Sequence, residues 1–129
     1  MPVVYVEREK VSVLRILNDT GFDIAQDEFT VLHGFNAIAE GAVPDGEYGG
    51  FQVEEGIQVQ AGPADLETGE DTFATLGQVV YYNAKNQTFS DTPHDAYTRA
   101  GILTQAKDAD GVIIFDKFRY AEEVYPDET

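Results

Sequence analysis

The chain has 129 residues, 43% hydrophobic and 12% aromatic, with no cysteine; that length supports one domain around a single core, without a disulfide framework. Twenty-four Asp and Glu stand against eight Lys and Arg, a formal net charge of -16, which repels nucleic-acid phosphates and anionic membrane surfaces, so neither nucleic acid nor membrane is an expected partner. No apolar run approaches the roughly 18 residues of a membrane span, and residues 1–8 lack a basic leader before a long apolar segment, so a protein made and used in the cytoplasm is expected.

Along the chain, Val3, Val4, Tyr5 and Val6 form a short β-prone run between Pro2 and Glu7-Arg8-Glu9-Lys10. It reads as a free arm or an edge strand, because proline is tolerated only at sheet edges. In residues 11–17, Val11, Val13, Arg15 and Leu17 alternate with Ser12, Leu14 and Ile16, which predicts a strand with a short helix as the alternative. Asn18-Asp19-Thr20-Gly21 breaks the chain. Short strands are then predicted over 22–25, 29–32, 35–39, 48–53 and 57–60. Turns fall between them at Gln26-Asp27-Glu28, His33-Gly34, residues 40–46 and Glu54-Glu55-Gly56. Gly49-Gly50 inside a strand predicts a bulge or a close backbone approach. Residues 61–77 are acidic and read as a long loop with one helical turn near 64–67; a loop of that length is the best candidate for a contact surface.

From Gly77 to Tyr120 two successive hairpins are predicted. Residues 79–82 and 87–89 flank the turn Asn83-Ala84-Lys85-Asn86, and residues 97–104 and 112–115 flank Lys107-Asp108-Ala109-Asp110-Gly111. Hairpins need a sheet or barrel to close on. The expected fold class is therefore all-β, a small antiparallel barrel or sandwich with an N-terminal arm and one long acidic loop. The division is 1–21 as arm or first strand, 22–120 as the β domain, and 121–129 as an acidic, exposed tail.

Chemistry-bearing motifs are few. His33 and His94 lie beside turn residues without the spacing of a zinc site. Asp108-Ala109-Asp110-Gly111 resembles the opening of a calcium loop, but its glycine comes fourth rather than sixth, so a hairpin turn is expected. The neighbours Glu54-Glu55 and Glu70-Asp71 would point to opposite faces of a strand. No nucleophile motif or phosphate loop is present. No catalytic, cofactor-binding or metal-binding residue is expected, and the chain reads as a non-enzyme.

Several stretches nevertheless carry a resemblance. Residues 24–39 (Ile-Ala-Gln-Asp-Glu-Phe-Thr-Val-Leu-His-Gly-Phe-Asn-Ala-Ile-Ala), Gly46, Gly56-Ile57-Gln58-Val59, Gly77-Gln78-Val79-Val80-Tyr81-Tyr82-Asn83-Ala84, Tyr97-Thr98-Arg99-Ala100-Gly101-Ile102-Leu103 and Gly111-Val112-Ile113-Ile114-Phe115 together resemble the small β-barrel head decoration (cement) proteins of tailed bacteriophages. The resemblance spans about residues 22–116. It implies a trimeric cement protein that binds the major capsid protein on the outside of an icosahedral head and stabilises it. Val3, Val4, Tyr5 and Val6 are then the expected capsid or subunit contacts. A non-viral β-barrel interaction module or a small-ligand-binding protein is the alternative.

Overall fold

The computed structural model describes residues 13–67 and 71–124. Among the described residues, nine strands form two antiparallel sheets. The first contains β1 (Val13–Leu17), β2 (Phe29–Leu32), β3 (Phe35–Ala39) and β4 (Tyr48–Gln52), in the order β1-β4-β3-β2. The stretch read as strand or helix is a strand, paired with β4 from Val13–Gln52 to Leu17–Tyr48. Its alternation turns Leu14 and Ile16 inward and leaves Val13 and Arg15 exposed. β2 and β3 meet through the two-residue turn His33-Gly34, where φ is 50° and 82°. Both central residues of such a turn must be left-handed, so His33 is a turn residue.

Alternation in this sheet divides its side chains between two cores. Phe29, Val31 and Ile38 face the second sheet. Leu32, Ala37, Ala39 and Phe51 turn the other way and pack with Ile16, Ile24, Val43 and Val53. Residues 22–25, expected to be a strand, supply only the isolated pair Ile24–Val43. A side chain replaces the ladder there: the buried amide of Asn18 donates to Phe22 O at 2.8 Å and Val43 O at 2.9 Å. Gly49-Gly50 causes no bulge, since the β1–β4 register is unbroken. Its role is the close approach: a Cβ on Gly49 would lie 2.3 Å from a Val43 methyl.

The second sheet contains β5 (Gln58–Ala61), β6 (Val79–Asn83), β7 (Thr88–Ser90), β8 (Thr98–Gln105) and β9 (Ile113–Lys117), in the order β5-β9-β8-β6-β7. The two predicted hairpins are β6–β7 and β8–β9, joined side by side by β6–β8 pairing. Phe29 crosses from the first sheet into an aromatic cluster, with ring centroids 5.0 Å from Tyr82, 5.1 Å from Phe89 and 5.9 Å from Phe115. Edge-to-face rings at this spacing add to area burial.

Within the long acidic loop, Pro63–Asp65 form a 3-10 turn. Leu66 pairs in parallel with Phe89 on β7, and the Glu67 amide donates to Phe89 O at 2.8 Å. The outer strands of the second sheet thus approach each other, but no continuous ladder joins them among the described residues. The architecture is a sandwich of two sheets rather than a closed barrel.

Past β9, the chain sews the two sheets together. Tyr120 pairs with Phe35, and Asn36 N donates to Arg119 O at 3.0 Å. Glu123 pairs with Thr98, and Val124 N donates to Tyr97 O at 2.7 Å. Residues 121–124, read from the sequence as the start of an exposed tail, are bonded into this seam, and Val124 is buried. The remainder of that tail, 125–129, lies outside the described residues.

Candidate contact surfaces

The four expected contact residues, Val3, Val4, Tyr5 and Val6, also lie outside the described residues. The first described element after them is β1, an outer strand of its sheet.

The seam itself builds a surface. Phe35 and Tyr120 stack with centroids 5.5 Å apart, and the Arg119 guanidinium lies 5.6 Å from the first ring and 5.7 Å from the second. A cation on aromatic faces is held by their quadrupoles. Tyr120 is 58% exposed. Beside it runs a groove of about 560 Å³ lined by Val79, Phe118, Tyr120, Arg99, Arg119 and Glu122. Arg99 reaches Glu123 O at 3.0 Å and Glu122 Oε2 at 4.0 Å.

Beneath this groove Lys117 is completely buried, its Nζ donating to Glu54 O at 2.7 Å and Phe118 O at 3.4 Å. Burial first, and then the nearby Arg119 cation, bring its ammonium down to about 8, against the pull of Glu54 and Glu55. In a chain with no Lys or Arg from 16 to 84, Arg99, Lys117 and Arg119 gather at one place.

The acidic loop is fastened at both of its described ends. Glu67 Oε1 accepts from Tyr97 OH at 2.8 Å, Asn83 Nδ2 at 2.9 Å and Thr88 Oγ1 at 3.2 Å. Burial and the adjoining Glu67 carboxylate push the Tyr97 phenol up to about 12. At the other end Asp91 Oδ2 accepts from Thr72 N at 2.8 Å and Phe73 N at 3.0 Å, which sets Phe73 as a fully buried plug in the main core. Leu76, 63% exposed, is the large apolar side chain this loop leaves on the surface.

The residues considered for chemistry have structural work. His33 Nε2 stands 3.4 Å from Asp19, and His94 meets the edge of Tyr97 at 5.0 Å. Asp108 Oδ1 accepts from Asp110 N at 2.9 Å and Val112 N at 3.0 Å, closing the hairpin turn. Among the described residues no three His, Cys, Asp or Glu are placed to hold a metal ion. Sequence reasoning missed the seam groove, whose lining comes from β6, β8, the segment after β9 and Glu55 in the turn before β5. Its local signal was the triplet Phe118-Arg119-Tyr120, aromatic and basic in an otherwise acidic chain.

Residues 8–117 match the family described as phage cement protein. The chain belongs to the phage cement protein family. Neither a curated protein nor a solved structure matches it. Membership carries a capsid cement role, association with a phage capsid and a place in the virion. The seam exposes the aromatic and arginine side chains that protein interfaces commonly use.

Proposed function

We propose that this cement protein binds the outer surface of an icosahedral phage head as a homotrimer, contacts the major capsid protein and stabilises the shell without enzymatic activity. The observation that carries this reading is the family match over residues 8–117. The net charge of -16 supports an exterior position, where packaged DNA is not a partner, and requires a specific contact for copies to associate against their mutual repulsion.

The anchors are Val3, Val4, Tyr5 and Val6, whose polar flanks leave them available to add a strand to a neighbour. Charges act mainly on orientation and encounter rate. The test is co-sedimentation with undecorated heads, followed by thermal disruption of those heads. The full chain binds and raises the disruption temperature, whereas a folded variant lacking residues 1–9 does not bind. Full-length protein that leaves the heads unbound and equally heat-sensitive overturns the reading, and a deletion that binds with unchanged affinity removes the anchor.

A further inference from the structure

Sharing no lining residue with the seam groove, a cleft of about 340 Å³ opens where the start of β2, the end of β5 and the β6–β7 hairpin meet. Its lining includes Asp27, Glu28 and Asp65 together with Phe29, Tyr82 and Phe89, which belong to the buried aromatic cluster.

Tyr82 is 3% exposed, yet its hydroxyl makes no hydrogen bond to a described residue. The ring is buried in the core while the hydroxyl oxygen itself is not fully buried, so it is open to a partner from the cleft. The phenol sits in the field of the lining acids: burial first, then the Glu28 and Asp65 carboxylates, hold it far above its ordinary ionisation range. Glu28 is itself raised, by burial and then, against the pull of the Ala25 backbone, by Asp65. Asp65 Oδ2 accepts from Gly62 N at 3.3 Å. The site therefore gathers three carboxylates beside a phenol hydroxyl that has no hydrogen-bond partner among the described residues. That combination suits an organic cation, which gives several N–H donors to oxygen acceptors. A bare metal ion fits less well, since no three acids among the described residues converge tightly enough.

Resting on the cement reading, we propose that this cleft receives a basic side chain of the capsid, its ammonium or guanidinium bonded by Glu28, Asp65 and the Tyr82 hydroxyl. Charge selects the donor. A second copy of this chain brings 24 acids with its eight cations, and of those cations Lys117 is buried and Arg15 lies 5.6 Å over Tyr48.

Two measurements test the assignment. Titrating the protein with n-butylguanidinium, followed by amide chemical shifts, should give saturable changes confined to Asp27, Glu28, Asp65, Tyr82 and their neighbours. These should disappear in the Glu28→Gln/Asp65→Asn variant, with n-butanol as the neutral control. The same folded variant should bind undecorated heads about tenfold more weakly, the loss expected for a charge-assisted pair.

Shifts that are absent, scattered or unchanged in the variant overturn the site. Localised shifts with unchanged head affinity overturn the capsid as donor, as does an effect on self-association alone. If the wild-type chain leaves heads unbound, the cement reading fails and the capsid assignment falls with it. The titration still reads the cleft's preference for a cation, so the two failures are distinguishable.

Discussion

The side-chain amide of Asn36 on β3 donates to the backbone carbonyl of Arg99 on β8, 3.0 Å away. The same nitrogen lies 3.4 Å from Ala100 O, 3.2 Å from Phe118 O and 3.3 Å from Tyr120 O, and the residue is fully buried. Two N–H groups are thus shared among carbonyls of the second sheet and of the seam. Replacing Asn36 by leucine keeps the bulk and removes the donors. Ala100 O still accepts from Phe118 N at 2.9 Å and Phe118 O from Lys117 Nζ at 3.4 Å. The loss therefore falls on Arg99 O and Tyr120 O, where a buried acceptor left unsatisfied costs about 1–3 kcal/mol. Asn36→Leu should lose about 2–3 kcal/mol in denaturant unfolding. A variant within about 0.5 kcal/mol of wild type, the range of an ordinary surface change, would show that the seam does not depend on it.

A second relationship predicts a pH dependence. Asp71 and Asp91 face one another beside Lys107, whose Nζ donates to Asp71 O at 3.2 Å. Burial and then Asp91 raise the Asp71 carboxyl to about 6. Burial also pushes Asp91 up, but hydrogen bonds from Asp71, the Phe73 and Thr72 amides and Thr92 outweigh it and bring Asp91 to about 2. A raised acid holds an extra proton in the folded state, so its contribution is full below the ordinary value of 3.8 and is lost as pH rises to about 6. A depressed acid does the opposite, and the Asp91 contribution grows between about 2 and 3.8. Asp71→Asn keeps an N–H donor for Asp91 and removes the repulsion. Its melting temperature should exceed wild type at pH 7.5, with the gap narrowing at pH 4.5. An equal gap at both values would refute the shared proton.

Much of the fold was readable because its signals are local. The hairpin turns at His33-Gly34, 84–87 and 107–111, and the period-two runs beside them, place most of the strands through chemistry within a few residues. What was not readable is long-range. Residues 22–25 have β-prone composition, but only Ile24 pairs, with Val43, and the buried Asn18 amide takes the Phe22 carbonyl. The 121–124 segment looks like a polar terminus, yet Gly34, Arg99 and Tyr97 bond to it from distant positions in the chain. The acid cleft joins residues 27, 28, 65 and 82, a juxtaposition that pairing order decides and spacing does not encode.

Gly101 illustrates the same point at one position. Its sequence context is an ordinary strand, but an added Cβ would lie 2.1 Å from Asp116 O and 2.7 Å from Phe115 Cδ2. The obstructing oxygen belongs to the backbone of β9, so relief requires the β8–β9 ladder to part. Gly101→Ala should cost about 3 kcal/mol or more, the upper end of overpacking. Gly62 provides the contrast: it has φ -94° and nothing within 4 Å of an added Cβ. Gly62→Ala should be neutral or slightly stabilising through the unfolded chain. Equal effects of the two substitutions in denaturant unfolding would refute the close approach.

Lys117 allows the seam to be read by titration. Below about pH 8 its amine is charged in both folded and unfolded chains, and folding bears the full cost of burying that charge. As pH rises from about 8 toward the ordinary value of 10.5, the folded state sheds its proton first. Stability from this group therefore increases with pH across that window. Lys117→Met retains the stem against its neighbours and lacks the titrating amine, while leaving Glu54 O without its donor. Wild-type stability should consequently gain on the Met variant between pH 7 and pH 9.5, measured by denaturant unfolding of both proteins at each pH. Parallel curves across that interval would mean that the amine reaches water in the folded state and that the seam is looser than its hydrogen bonds indicate.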